Sequence, residues 1–424
     1  MLSERDTELL CRVSAGTAMG EVLRRFWQPV LLSEEVPSAD GPPVAIRIMG
    51  EDLLAFRDTN GKVGLISAYC AHRHAHLFWG RNEECGLRCT YHGWKYDVTG
   101  QCVDMPNEPL EAAFKEKIKI AAYPTKEAGG CVWAYMGPPE KEPPELPYLE
   151  WTRIPTENVL VTKRLQQNNW AQAVEGGIDS SHISYLHNNN IKQQNLSTGD
   201  KAPMTLLQER DYGFIEAARR VTAEGKHYWR IRPFMVPGTI MIPSNDAPDR
   251  SISGHVWVPV DDHHVWVYTI TWNATRALGN EEIATLLAGY GIHSSVEKHE
   301  RRWDLKISNS YRPVRNIEND YLIDRPLQKD TSFTGIQGTS EQDCSIQESM
   351  GALSPRWEEH LGTADKGIIE FRKTLLQMAR DMLEGKEPVQ PHNPQAYRVR
   401  STAFVVDPQV DWKEVSEEHM KALV

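Results

Sequence analysis

No apolar run in the 424 residues approaches the roughly 20 that a membrane-crossing helix needs. The first residues, Met1-Leu2-Ser3-Glu4-Arg5-Asp6, lack the basic stretch and apolar core of a secretory signal. No block of lysine and arginine occurs and the formal net charge is −11, which argues against nucleic-acid or anionic-membrane partners. Seven cysteines, an odd number in a long chain without a signal, do not suggest a disulfide framework. They read as reduced thiols or metal ligands of a cytoplasmic protein. No Gly-x-Gly-x2-Gly follows a strand, and there is no flavin motif, plant-type ferredoxin cysteine set or internal repeat. What is left is an ordinary globular composition, 40% hydrophobic and 25% charged, with length for two or three domains.

Residues 7–27 have helical character broken at Gly16 and Gly20. From Val44 short alternating strands follow, punctuated by turns such as Asp58-Thr59-Asn60-Gly61. A Pro/Glu segment at 138–145 marks the best boundary, dividing the chain into 1–145 and 146–424. Beyond it, 204–275 reads as an antiparallel sheet of five or more strands. Helical segments are expected at 280–290, 294–304, 356–361 and 364–384, the last with a broad apolar face that packs on the sheet. The stretch 305–350 reads as irregular and polar.

Two stretches concentrate metal-binding side chains. The first is Cys70-x-His72, then sixteen residues, then Cys89-x2-His92. A Cys2His2 zinc site usually draws its cysteines from one pair and its histidines from another. Here each loop supplies one of each, the mix that a Rieske [2Fe–2S] centre needs, with two thiolates on one iron and two imidazoles on the other. The remaining cysteines, Cys11, Cys85, Cys102, Cys131 and Cys344, have no comparable spacing and read as free thiols.

The second stretch runs from Asn169 to His187 and holds Glu175, Asp179, His182 and His187. On a continuous helix the first three share one face. His187 lies about 140° away from His182, so both meet one metal only if the helix ends or bulges between them. Two neutral imidazoles and a carboxylate from elsewhere form the open-sided set that holds non-haem Fe(II) for oxygen chemistry. An amphipathic helix with two incidental histidines would show the same residues.

Together these motifs make the chain resemble the oxygenase (alpha) subunit of Rieske non-haem iron aromatic ring-hydroxylating oxygenases, over nearly its whole length. The closest branch is typified by phthalate 4,5-dioxygenase. Segments 319–325 and 342–351 add to the likeness. The resemblance implies an α+β fold: a Rieske antiparallel β-domain, then a catalytic domain whose twisted antiparallel sheet wraps a helix. It implies that His182, His187 and Asp343 ligate the mononuclear iron. For the third ligand, Glu341, Asp320, Asp324 and Glu348 are nearby alternatives, and the choice rests on the family pattern. It makes Asp179 a carboxylate bridging subunits of a head-to-tail homotrimer or stacked trimers, with Glu175 a candidate support. One departure is visible: around the ligand His72 the family usually has Pro and Arg-Gly, where this chain has Ala71, Arg73 and His74.

The branch mostly takes carboxylated aromatics, and a guanidinium is the natural carboxylate clamp. Arg230 and Arg232 share one strand face, with Arg219 and Arg220 on the preceding strand. Asn169 is a further candidate for the pocket. Electrons are expected from a separate NAD(P)H-dependent reductase, since the chain has no nucleotide or flavin motif of its own. The expected reaction is O2-dependent dihydroxylation of a small aromatic acid. Alternatives are monooxygenation or O-demethylation on the same scaffold, a pure electron-transfer Rieske protein, or a zinc-stabilised binding module.

Overall fold

The computed structural model describes residues 1–109, 111, 114–188, 199–244, 249–297 and 311–424. The N-terminal part begins with two short helices, α1 (Glu4–Cys11) and α2 (Ala18–Arg24), capped by Ser3 and Thr17. Three small antiparallel sheets follow. One joins β1 (Gln28–Leu32), β11 (Cys131–Ala134) and β10 (Thr125–Ala128). The second runs β2 (Val44–Ile48), β3 (Glu51–Arg57), β4 (Val63–Ser67) and β9 (Ala122–Tyr123). The third runs β5 (Arg81–Glu83), β6 (Gly86–Arg88), β7 (Lys95–Tyr96) and β8 (Cys102–Asp104). Asp58 and Gly61 close the β3–β4 turn, with Gly61 at φ +81. Leu54, Phe56, Ile66, Leu87 and Tyr96 form a core of their own between the second and third sheets.

The C-terminal part is built on one eight-stranded antiparallel sheet. Its order is β12 (Val159–Gln166), β18 (Val265–Trp272), β17 (Ile252–Pro259), β16 (Thr239–Ile242), β15 (His227–Met235), β14 (Gly213–Val221) and β13 (Met204–Arg210). A last strand, β19 (Thr402–Val406), pairs with the first half of β15. β17 and β18 are buried almost throughout, because helices cover one face and the N-terminal part covers the other. That double burial explains their near-continuous apolar sequences.

Helix α3 (Trp170–Ile178) lies against this sheet, and Gly176 and Gly177 make the close fit possible. A Cβ on Gly177 would overlap the Trp257 ring of β17, and one on Gly176 the Gln347 amide. Phe371 ties α3 to the sheet, with ring centroids 5.9 Å from Trp170 and 5.5 Å from Phe234. Phe371 belongs to α7 (Lys366–Leu383), which follows α4 (Asn280–Leu287), α5 (Arg325–Asp330) and α6 (Thr339–Ser349) and precedes α8 (Trp412–His419). The large antiparallel sheet and its packed helices match the expected α+β architecture.

Three local expectations are corrected. Residues 356–361 form turn and coil, not helix. Of the helix expected at 294–304, residues 294–297 are not helical and the rest lies outside the described residues. The stretch read as irregular contains α5 and α6. Among the described residues no helix is long and apolar enough to cross a membrane.

Candidate metal centres

The first candidate centre is made by two similar turns. In one, the Cys70 amide donates to the Ala75 carbonyl and the His74 amide to the Cys70 carbonyl, each at 2.9 Å. In the other, the Cys89 amide donates to the Trp94 carbonyl at 2.8 Å and the Gly93 amide to the Cys89 carbonyl at 2.9 Å. Each turn therefore lifts a cysteine and a histidine to the same end of the unit. The fourth residue after each cysteine has positive φ, +81 at Gly93 and +60 at His74. His74 so stands in a conformation that favours glycine, and its ring stacks on Tyr69 at 4.4 Å.

The Cys70 and Cys89 thiols lie close enough to share one negative charge between them. The pair gives up a first proton well below the ordinary thiol value, chiefly through this mutual interaction, and holds the second. The Tyr96 hydroxyl lies 3.2 Å from the Cys70 sulfur. The His72 and His92 rings are 4.4 Å apart, and Trp94 stacks on His72. His92 Nδ1 is buried with no hydrogen-bond partner. Two adjacent sulfurs facing two adjacent imidazoles, one with an orphaned ring nitrogen, fit a [2Fe–2S] group held by Cys2His2.

The second candidate centre lies where α3 stops. The Asn169 side chain caps the helix, accepting from the Ala171 amide at 3.1 Å. Its amide also donates to the Cys11 and Asp262 carbonyls at 3.0 and 2.7 Å. Asn169 is thus fully committed to the fold, which corrects its placement beside a substrate. The helix ends at Ile178, and His182 sits on a 3-10 turn, His182–Ser184. The helix break that the histidine spacing requires is therefore present, and the shared helical face of Glu175, Asp179 and His182 is not. Glu175 turns instead to Arg356 and Arg372, at 3.0 and 2.8 Å, in a buried ion network.

Past the break, His182 Nε2 and His187 Nε2 come within 3.1 Å. Asp343 Oδ1, from α6, lies 3.6 Å from the first and 3.2 Å from the second. Donor atoms about 2.1 Å from one ion and near right angles to each other lie roughly 3 Å apart. The His182–His187–Asp343 group therefore fits a single mononuclear iron. Burial alone would raise the Asp343 carboxyl, but the two imidazoles outweigh it and hold it below the usual range. Asp179 behaves alike: burial opposes its charge, and the bond to His182 Nδ1 at 3.3 Å restores it. Its other oxygen accepts from the Ser181 amide at 2.7 Å and hydroxyl at 2.8 Å, fixing the carboxylate.

The arginines divide by role. Arg232 pairs with buried Glu216 at 2.7 Å and donates to the carbonyls of Gly177, Ile178 and Asp179. It caps the negative end of α3, and this corrects its candidacy as a substrate ligand. Arg220 donates to the Ser180 carbonyl at 2.6 Å, yet its Nε and Nη1 have no partner. Burial, with Arg230 beside it, pushes the Arg220 guanidinium down to about 10. Arg230 is buried and its Nε is unpartnered; burial and, least, the Arg230 charge weaken His187 as a base, but Asp343 and Gln342 outweigh them and raise it. Arg219 projects from the opposite face of β14.

Residues 26–124 match the Rieske [2Fe-2S] domain family, and residues 134–423 match the LigXa C-terminal domain like family. The chain is 36% identical to the phthalate 4,5-dioxygenase oxygenase subunit of Pseudomonas putida, over 100% of this chain and 97% of that one. It is 35% identical to the 3-chlorobenzoate-3,4-dioxygenase oxygenase subunit of Comamonas testosteroni, over 100% of both. Among solved structures, a mutant of NdmA from Pseudomonas putida CBB5 with theobromine shares the fold, with a TM-score of 0.63 and 18% identity. The match covers 93% of this chain and 99% of that one. With a Rieske domain, a His-His-Asp group and relatives matched end to end, the chain belongs to the Rieske non-haem iron aromatic oxygenases, as an oxygenase alpha subunit.

Proposed function

We propose that this oxygenase subunit dihydroxylates the ring of an aromatic carboxylate such as phthalate or a related benzoate. The observation that carries the reading is the meeting of His182, His187 and Asp343 within 3.6 Å of one another, beside a cleft that His182 also lines. In this reading these three hold Fe(II). Cys70 and Cys89 hold one iron of the cluster, and His72 and His92 the other. The mononuclear iron supplies O2 activation, and the cluster supplies stored electrons.

The chain's own groups do the rest. Asp179 holds His182 with Nε2 toward the metal and bridges to the cluster side of a neighbouring subunit. Arg220 and Arg230 keep unpaired donors in a buried setting beside the histidines, as a clamp for a planar carboxylate requires. Exposed aromatic rings near the cluster turns, Trp79 and Tyr91, and others near His182, Tyr185 and Phe333, suit contact between copies in a homotrimer or stacked trimers. Residues 1–145 serve as the cluster-bearing unit and 146–424 as the catalytic one. A separate NAD(P)H-dependent reductase supplies electrons, in keeping with relatives named as oxygenase subunits. No disulfide joins any of the seven cysteines, which suits the cytoplasm.

The test is substrate-dependent NADH and O2 consumption with a competent reductase across benzoates and phthalates. Labelled O2 should place both oxygen atoms in a ring diol. One labelled oxygen, or loss of a methyl group, would assign monooxygenation or O-demethylation instead. Arg230→Met should raise KM for the acid by roughly ten-fold or more, as expected for a lost charged hydrogen bond. If no carboxylated aromatic stimulates consumption, the substrate class is wrong.

A further inference from the structure

We infer that Gln342 is a positioning residue that fixes the tautomer and the ring plane of His187 so that its Nε2 faces the metal. The inference rests on the reading of His187 as an iron ligand.

His187 Nδ1 lies 2.7 Å from Gln342 Oε1. An amide's oxygen and nitrogen look alike, so its orientation follows from its other partners. Gln342 Nε2 donates to the Thr334 hydroxyl at 2.9 Å and the Ile336 carbonyl at 2.8 Å. The Ile336 carbonyl can only accept. Turning the amide over would set two oxygens against each other there. The oxygen therefore faces His187, and an oxygen can pair only with an N–H. The proton sits on Nδ1, and the lone pair is left on Nε2, the atom 3.2 Å from Asp343 and 3.1 Å from His182 Nε2.

Both His187 and Gln342 are buried, so water does not replace this bond. Gln342 and Asp343 are consecutive on α6, about 100° apart around its axis. One helix thus holds the two ring nitrogens of His187 with two successive side chains, an amide oxygen at Nδ1 and a carboxylate at Nε2. His182 is oriented instead by a carboxylate, Asp179. A neutral acceptor on the second histidine keeps a further negative charge out of the buried centre. The segment that anchors the amide, Thr334 to Ile336, also lines a cleft of about 820 Å³ with His182, Tyr185 and Phe333.

The experiment measures Fe(II) binding to protein stripped of its mononuclear metal but retaining the cluster, with the Rieske spectrum as the check on folding. Gln342→Leu should weaken Fe(II) by about 10–100-fold, the usual loss when a ligand's outer partner is removed. Gln342→Glu keeps an acceptor and should lose far less. Fe(II) affinity unchanged in Gln342→Leu, or an equal loss in both variants, overturns the role. A measurement on the unmodified chain stands whether or not the variants fold. With Co(II) in the site, the His187 Nδ1–H should give a shifted proton resonance that exchanges slowly with solvent. Its absence, with Co(II) bound, also overturns the inference. Unmodified protein that binds no metal beyond the cluster's two irons would instead remove the ligand reading beneath it.

Discussion

Asp179 makes three contacts within its own chain: the Ser181 amide, the Ser181 hydroxyl and His182 Nδ1. An amide in its place keeps one oxygen for Ser181 and trades the other for an NH2, so the charge and the acceptor for the imidazole are lost while His182, His187 and Asp343 stay in place. Asp179→Asn should therefore retain both metals and nearly abolish turnover coupled to the cluster. Metal analysis and single-turnover rates check this, and full activity with both metals present would dismiss the bridge. The same residue-level logic explains what the sequence could and could not disclose. Cys70, His72, Cys89 and His92 stand out because few chemistries need those types at that spacing, and the structure gathers them. Asp343 does not stand out, because carboxylates are common and its partners come from another element. Asn169 and Arg232 misled because a polar side chain's partner is set by distant backbone: the carbonyls of Cys11 and Asp262 for one, the end of α3 for the other. Gln342 carries no sequence signal apart from standing next to Asp343.

At the level of elements, α3 was legible and α6 was not, for one physical reason. α3 buries apolar side chains such as Trp170, Ala173, Val174 and Ile178, whose spacing is that of a helix. α6 reads Thr-Ser-Glu-Gln-Asp-Cys-Ser-Ile-Gln-Glu-Ser, and its buried side chains are mostly polar. Its inner face is satisfied by other protein groups: Gln347 by Gln166, and Glu348 by Tyr321 and the Gln167 amide. Most strands are legible from their alternation, but two lie outside the region 204–275: β12, which forms one end of the sheet, and β19, which pairs with the first half of β15. β12 is tied to β18 by a buried imidazole. His293 lies 2.8 Å from the Thr162 hydroxyl and 2.9 Å from that of Thr271. Burial, with Arg164 nearby, depresses this histidine to about 3. An unfolded chain would take up that proton near pH 6.5, so stability is lost as pH falls from there toward 3. His293→Gln cannot titrate. The stability advantage of the parent over this variant should shrink by about 2 kcal/mol between about pH 7.5 and pH 5. Urea unfolding at the two pH values measures it, and a constant difference would mean the imidazole does not stay neutral in the fold.

At the scale of the whole molecule, the cluster turns leave the small N-terminal sheets while the His-His-Asp group lies past α3 and on α6, and both are rimmed by exposed aromatic rings. Those rings would be an aggregation liability on an isolated chain, so they favour a partner surface. A ring of copies, each offering its cluster turns to the next copy's His182 side, uses both rims at once. It also places Asp179, which is only part-buried in the single chain, at the joint. Subunit mixing separates this arrangement from transfer within one chain. Asp343→Ala should keep the Rieske spectrum and lose the mononuclear iron. Cys89→Ser should lose the cluster. Neither alone turns over in either arrangement. When the two chains are co-expressed with different tags and mixed trimers are isolated, about one in three neighbouring pairs sets an intact cluster against an intact iron. Activity of that order in mixed rings requires electrons to cross between subunits. Mixed rings that carry both metals yet stay inactive would put transfer within each chain and leave the exposed rims for another partner.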